Sequence, residues 1–167
     1  MAAGRTYTPI ATQTLSATAS SVTFSSIPGT YTDLILVLNS TTSITDRSIR
    51  LQFNSDTGTN YSYTNVLAYS GGAISQRLTN YASIAFGSSS DTSGSNVYIL
   101  NIQNYANTNT YKTILSRGNA IGSSASSTDA HVGLWRNTAA ITSLNIYPSS
   151  GNFNTGTIAT LYGIAAA

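Results

Sequence analysis

The chain holds one imidazole, His131, and five carboxylates, all aspartate: Asp33, Asp46, Asp56, Asp91 and Asp129. Acid–base or nucleophilic chemistry would have to rest on these groups. His131 stands beside the segment Val132 to Arg136, and at such a junction of loop and strand a histidine is expected to serve structure. Serines are abundant, but none occupies the Gly-x-Ser-x-Gly turn that presents a nucleophile. Glycoside hydrolysis needs two carboxyl groups flanking one sugar bond, one of them held protonated. The pair to weigh is Asp91 and Asp129. Both fall in serine-rich stretches that read as loops, where water would keep each ionised. The residue types therefore predict no catalytic set, no cofactor and no enzyme.

The run Asn54-Ser55-Asp56-Thr57-Gly58-Thr59-Asn60 places oxygen ligands at alternate positions and a glycine at the bend, the ingredients of a calcium loop. It has one carboxylate and lacks the distal bidentate glutamate. A hairpin turn closed by Asx hydrogen bonds accounts for the same residues, so a metal ion is the lesser of two readings. With no cysteine in the chain, thiolate metal sites and disulfides are excluded.

Eleven tyrosines stand against four phenylalanines and one tryptophan. Tyr61, Tyr63 and Tyr69 cluster, as do Tyr98, Tyr105 and Tyr111. An apolar ring with a polar tip serves sheet packing, subunit contacts and sugar stacking alike. Trp135 could be a sugar platform, but its neighbours Val132 and Leu134 favour a place in the core or on a sheet face. Gly71, Gly72, Gly118 and Gly122 read as turn glycines that permit positive φ. No strand–loop–helix unit surrounds them, so no phosphate cradle is expected.

The elements that must position these residues follow from composition. Charged residues make up 7% of the chain, against roughly 25% in ordinary soluble proteins. There is no glutamate, and Lys112 is the one lysine. Those two residue types normally cover exposed helix faces, so their scarcity argues against helices. Ser, Thr and Asn suit strand faces and turns.

Alternation then marks the strands. Leu34, Leu36 and Leu38 interleave with Ile35 and Val37, a strand apolar on both faces and hence central. Ile49, Leu51 and Phe53 interleave with Arg50 and Gln52, giving one dry and one wet face. Further strands are expected around 63–69, 74–78, 84–86, 97–102, 111–117 with Ile114 and Leu115 buried, 132–136, 141–146 and 157–164. Segments 87–94 and 121–129 read as polar loops.

The spacing predicts an all-β, antiparallel β-sandwich, jelly-roll-like, of about nine to eleven strands. At 167 residues one domain is expected: residues 21–167 as a single β-sandwich, and residues 1–20 as an N-terminal arm or first strand available for assembly contacts.

Six arginines are scattered along the chain and the net charge is +2, so no nucleic-acid footprint is expected. No apolar run is long enough to span a membrane, and the start lacks the pattern of a secretory signal. So little charge gives weak repulsion between molecules, which suits a protein held in an assembly.

Four segments in order carry a resemblance: Val22 to Leu34, with Ile27-Pro28-Gly29 at its turn; Arg50 to Tyr61; Ile102-Gln103-Asn104-Tyr105 with Lys112; and Gly133-Leu134-Trp135 through Ile146 to the closing Gly156-Thr157-Ile158-Ala159-Thr160-Leu161-Tyr162-Gly163-Ile164. From about residue 20 onward the chain resembles the small β-sandwich virion proteins of tailed bacteriophages, whose members decorate capsids or form tail-fibre-like modules. The resemblance implies a non-enzymatic virion protein, assembled in the host cytoplasm. The absence of an N-terminal helical shaft favours a capsid decoration or cement protein, with itself as a homotrimer and the phage major capsid protein as partners. Such a trimer would hold both chain termini against neighbours. The alternative is a tail-fibre or baseplate receptor-binding domain, whose partners would be tail proteins or a host-surface glycan.

Overall fold

The computed structural model describes residues 6–87, 91–122 and 126–165. They form twelve strands: β1 (Tyr7–Thr14), β2 (Val22–Phe24), β3 (Asp33–Ser40), β4 (Ile49–Phe53), β5 (Tyr61–Tyr69), β6 (Gly72–Tyr81), β7 (Ile84–Gly87), β8 (Ser95–Gln103), β9 (Lys112–Ile121), β10 (Ser126–Trp135), β11 (Leu144–Pro148) and β12 (Ile158–Ile164). Every pairing among them is antiparallel. One sheet has eight strands in the order β1-β12-β3-β8-β9-β10-β5-β6, the other four in the order β2-β11-β4-β7. The fold is an all-β sandwich.

Period-two patterning decides which side chains meet between the sheets. In β3, Leu34, Leu36 and Leu38 are fully buried while Ile35 and Val37 are half-buried on the outer face. In β4, Ile49, Leu51 and Phe53 are fully buried. Ala159 and Leu161 of β12, Leu100 and Ile102 of β8, and Leu144 and Ile146 of β11 complete this layer. As expected from its two apolar faces, β3 lies inside its sheet, between β12 and β8.

The eight-stranded sheet is twice as wide as its partner. The smaller sheet ends at β7, which packs against β9 and β10 and touches β5. Beyond that line the inner faces of β5 and β6 are only partly roofed.

Several local expectations need correction. The strand count exceeds nine to eleven because β1 pairs along β12 from Tyr7 to Thr14. Its alternation is faint, with Pro9 inside it and no fully buried side chain. The stretch 121–129 is a strand over most of its length: β10 begins at Ser126 and pairs on both sides, with β9 and β5. Two-sided pairing overrides the turn preference of Ser126, Ser127 and Thr128. Leu115 is exposed, because Ile114 faces inward and its neighbour must face out. Ile141 is buried ahead of β11 without belonging to a strand. Residues 88–90 and 123–125, within the expected loops, and the terminal residues 1–5 and 166–167 lie outside the described residues.

Candidate functional site

The inward positions of β10 place His131 and Asp129 between the sheets. Asp129 and His131 are therefore strand residues, not loop residues, and alternation turns both away from water. By register, His131 lies opposite Ser116 of β9 and Asn65 of β5, and Asp129 opposite Gly118 and Leu67. His131 Nε2 is 3.4 Å from Asp129 Oδ2, with side chains 1% and 2% exposed.

Asp91 is also buried, because its own loop folds around it. Its Oδ1 accepts from Ser93 N at 2.7 Å, Ser93 Oγ at 2.7 Å and Gly94 N at 3.1 Å. Asp129 packs at Gly118 and Asp91 at Gly122. That separation along β9 is about 13 Å at the strand rise per residue. The loop donors on Asp91 and the His131 contact of Asp129 give the two aspartates separate surroundings.

A cavity of about 150 Å³ opens where the larger sheet outruns the smaller, lined by Tyr63, Asn65, Leu67, Ile74, Gln76 and His131 among others. Ser116, the hydroxyl across from His131, donates to Phe86 O at 2.8 Å. No group of three His, Cys, Asp or Glu side chains suited to a metal ion occurs among the described residues.

The 54–60 turn is organised by Asp56. Oδ1 accepts from Gly58 N at 2.8 Å, Asn60 Nδ2 donates to Oδ2 at 3.0 Å, and Trp135 Nε1 donates to Oδ2 at 2.7 Å. Burial alone would raise the Asp56 pKa, but the donors from Trp135, Asn60 and Gly58 outweigh it and hold the carboxyl below its ordinary value. Both carboxylate oxygens thus face protein donors. Trp135 is 1% exposed and stacks on Tyr61 with centroids 6.2 Å apart and planes 14° apart. The core position expected for Trp135 is the one it occupies.

Asn54 joins the same corner to the segment before β11. Its Nδ2 donates to Ala140 O at 2.8 Å, while Oδ1 accepts from Thr142 N at 2.8 Å and Ser143 N at 3.1 Å.

Four of the six clustered tyrosines are core residues. Tyr61, Tyr63, Tyr98 and Tyr105 lie in the core. Burial pushes the phenol pKa values of Tyr61 and Tyr98 well above the ordinary range. Tyr69 and Tyr111 are exposed, but they stand at opposite ends of the sheet. Tyr69 ends β5, whereas Tyr111 precedes Lys112, which reaches Tyr61 through Trp135 in the register. Eight strand residues separate those ends, about 27 Å.

Gly118 is not a turn glycine. It lies within β9, where a Cβ would run into the Tyr98 ring and come within 2.9 Å of Asp129 Oδ1. A Cβ at Gly122 would collide with the Asp91 carboxylate. Gly72 has φ +128° and does supply a positive-φ turn, between β5 and β6.

Two structural features lie outside the sequence-based expectations. Lys112 is fully buried, and its Nζ donates to Thr110 O at 2.8 Å and Thr138 O at 3.0 Å. Desolvation lowers its pKa. Its inward parity with Ile114 was the available signal. The second is the outer face of the eight-stranded sheet. Leu115 and Val132 sit directly opposite each other, 50% and 55% exposed, and Val66 pairs with Ala130 beside them. Ile35, Val37 and Ile99 extend the surface. The charged side chains on this face among the described residues are Arg77, Arg117 and, at its rim, Asp33.

These features define an all-β sandwich with a buried His131–Asp129 pair between its sheets and a broad outer face that carries few charges. A scan against protein-family models matched none, and a search of curated proteins found no match.

Proposed function

We propose that this chain is a non-enzymatic structural protein of a tailed-bacteriophage virion, a decoration or cement protein that bridges and reinforces major capsid subunits as a homotrimer. The observation that carries the reading is the outer face of the eight-stranded sheet. Eight strands at about 4.8 Å spacing, paired over some 20–25 Å, offer on the order of 800–900 Å². Stable interfaces take about 800 Å² from each partner. Exposed apolar side chains grouped on one face, here Leu115, Val132 and Val66, mark interaction sites, and a face with so few charges can meet a neighbour without desolvating ions.

The strand order supports a jelly-roll reading in which two hairpins extend one sheet. β1-β12-β3-β8 faces β2-β11-β4-β7, the pairing produced when one long hairpin wraps into two four-stranded sheets. The hairpins β5–β6 and β9–β10 are then additions along the β8 edge. Val66, Leu115 and Val132, all exposed on the outer face, lie on these added strands.

The mechanism is mechanical. Each contact made by the face adds free energy to shell contacts that packaged DNA strains, and several contacts per oligomer act multivalently. The test is electron cryo-microscopy of intact particles, with head and tail reconstructed separately. Density for the sandwich at regular sites on the head, with Leu115 and Val132 against the shell, is expected. Density confined to the tail would overturn the cement role.

A further inference from the structure

We propose that β6 is a second assembly edge, pairing antiparallel with β6 of another copy about a two-fold axis at Gln76. The contact does not rest on the virion reading.

β6 ends the eight-stranded sheet, and among the described residues only β5 pairs with it. Its outward backbone N–H and C=O groups are a template for another strand. Natural edges are blunted by prolines, bulges, charges or shortness, and the other three edges here are. β1 carries Pro9 and a register shift between Pro9 and Ala11. β2 has three residues and β7 four. β6 has ten residues, no proline and one charge, Arg77. Its one irregularity is at the far end, where the pairing skips Asn80, at φ 58°. The ladder from Gly72 to Thr79 is uninterrupted.

The occupant follows from the sequence of the edge. Side chains directly opposite in antiparallel strands share a face, so self-pairing must join residues of like parity. Centring on Arg77 would set two guanidinium groups against each other. Centring on Ser75 would place Ile74 opposite the Gln76 amide.

Centring on Gln76 sets Ile74 opposite Leu78 twice, pairs the two Gln76 amides, and places Arg77 opposite Ser75. Ile74 is 46% exposed and Leu78 partly buried, so this register covers apolar surface that is otherwise wet. It also joins the two cavities beside Gln76 into one groove on the inner side. The seven paired positions span about 20 Å, a smaller contact than stable dimers use. It is therefore weak in solution and strengthened by multivalency in an assembly. Being isologous, it adds to a threefold contact rather than replacing one.

The chain has no cysteine, so single cysteines at the exposed positions report cleanly. In this register the two copies of residue 76 have Cα atoms about 4.5–5.5 Å apart, within disulfide reach. The two copies of residue 79 are about 20 Å apart, and each faces residue 73 of its partner. On mild oxidation of folded protein, Gln76→Cys is expected to dimerise at least tenfold faster than Thr79→Cys. Mixing Ala73→Cys with Thr79→Cys is expected to give the heterodimer at a rate near that of Gln76→Cys. Equal rates for Gln76→Cys and Thr79→Cys would mean random collision and overturn the proposal, as would no cross-link at millimolar concentration. Unchanged thermal transitions of the variants exclude misfolding as the cause.

Discussion

Trp135 donates its indole N–H to Asp56 Oδ2 across 2.7 Å, tying the end of β10 to the turn that follows β4. The same carboxylate closes its own turn through Gly58 N. One aspartate thus satisfies a buried indole and fixes the entry into β5. Asp56→Ala is expected to cost about 1–3 kcal/mol by leaving the indole N–H without an acceptor. Chemical denaturation with tryptophan fluorescence reads this directly, since Trp135 is the one tryptophan.

The same contact sets an acid dependence. The Asp56 carboxyl is held below its ordinary value of 3.8, so the folded state binds its proton less readily than the unfolded state. Its contribution is fully present above the ordinary value and is lost as pH falls through the folded value. Stability of the parent minus that of Asp56→Asn, measured by denaturation from pH 6 to 2, should shrink below about pH 4. A constant difference would show that the charge does not matter.

Calcium is expected to leave the thermal transition unchanged. Ligand binding to the native state alone would raise it, but the Asp56 oxygens already face Trp135, Asn60 and Gly58. A calorimetric scan with millimolar calcium against one with chelator checks this. A rise of several degrees would assign the turn to a metal.

Gly118→Ala should destabilise by about 1–3 kcal/mol, because the new methyl meets the buried Tyr98 ring in a packed layer. Tyr98→Leu in the same background opens that space and should recover part of the loss in a double-mutant cycle. Strict additivity would show that the two residues do not compete for volume.

Leu115→Lys with Val132→Glu, an opposite-charge pair across the two strands, should change stability little, since exposed substitutions usually fall within about 0.5 kcal/mol each. Incorporation into particles should fall at least tenfold. Retention at the parent level would remove the outer face from the proposed function.

Much of the architecture was legible in the chain. The interleaved leucines of β3 and the Ile49–Leu51–Phe53 face of β4 declare their strands, because a two-residue period has one structural meaning when one side is buried. The neighbours of Trp135 point to the core or a sheet face, and the residue types of the 54–60 turn point to Asx closure. Asp91 and Asp129 are buried, against the solvated positions their flanks suggest. Serine-rich flanks signal a loop, but they do not reveal that one loop wraps its aspartate or that strands β9 and β5 enclose the other. The same limit hid Lys112, whose buried amine is capped by carbonyls of Thr110 and Thr138.

By itself the sequence determined an all-β chain of short antiparallel strands with little charge, because alternation, turn residues and the scarcity of Glu and Lys are local properties. The tertiary structure decided what lies outside. Only the order of strands across the sheets sets β6 at a free edge and leaves Leu115 and Val132 uncovered. Pairing between strands distant in sequence is chosen by packing over the whole sheet, and no local pattern encodes it.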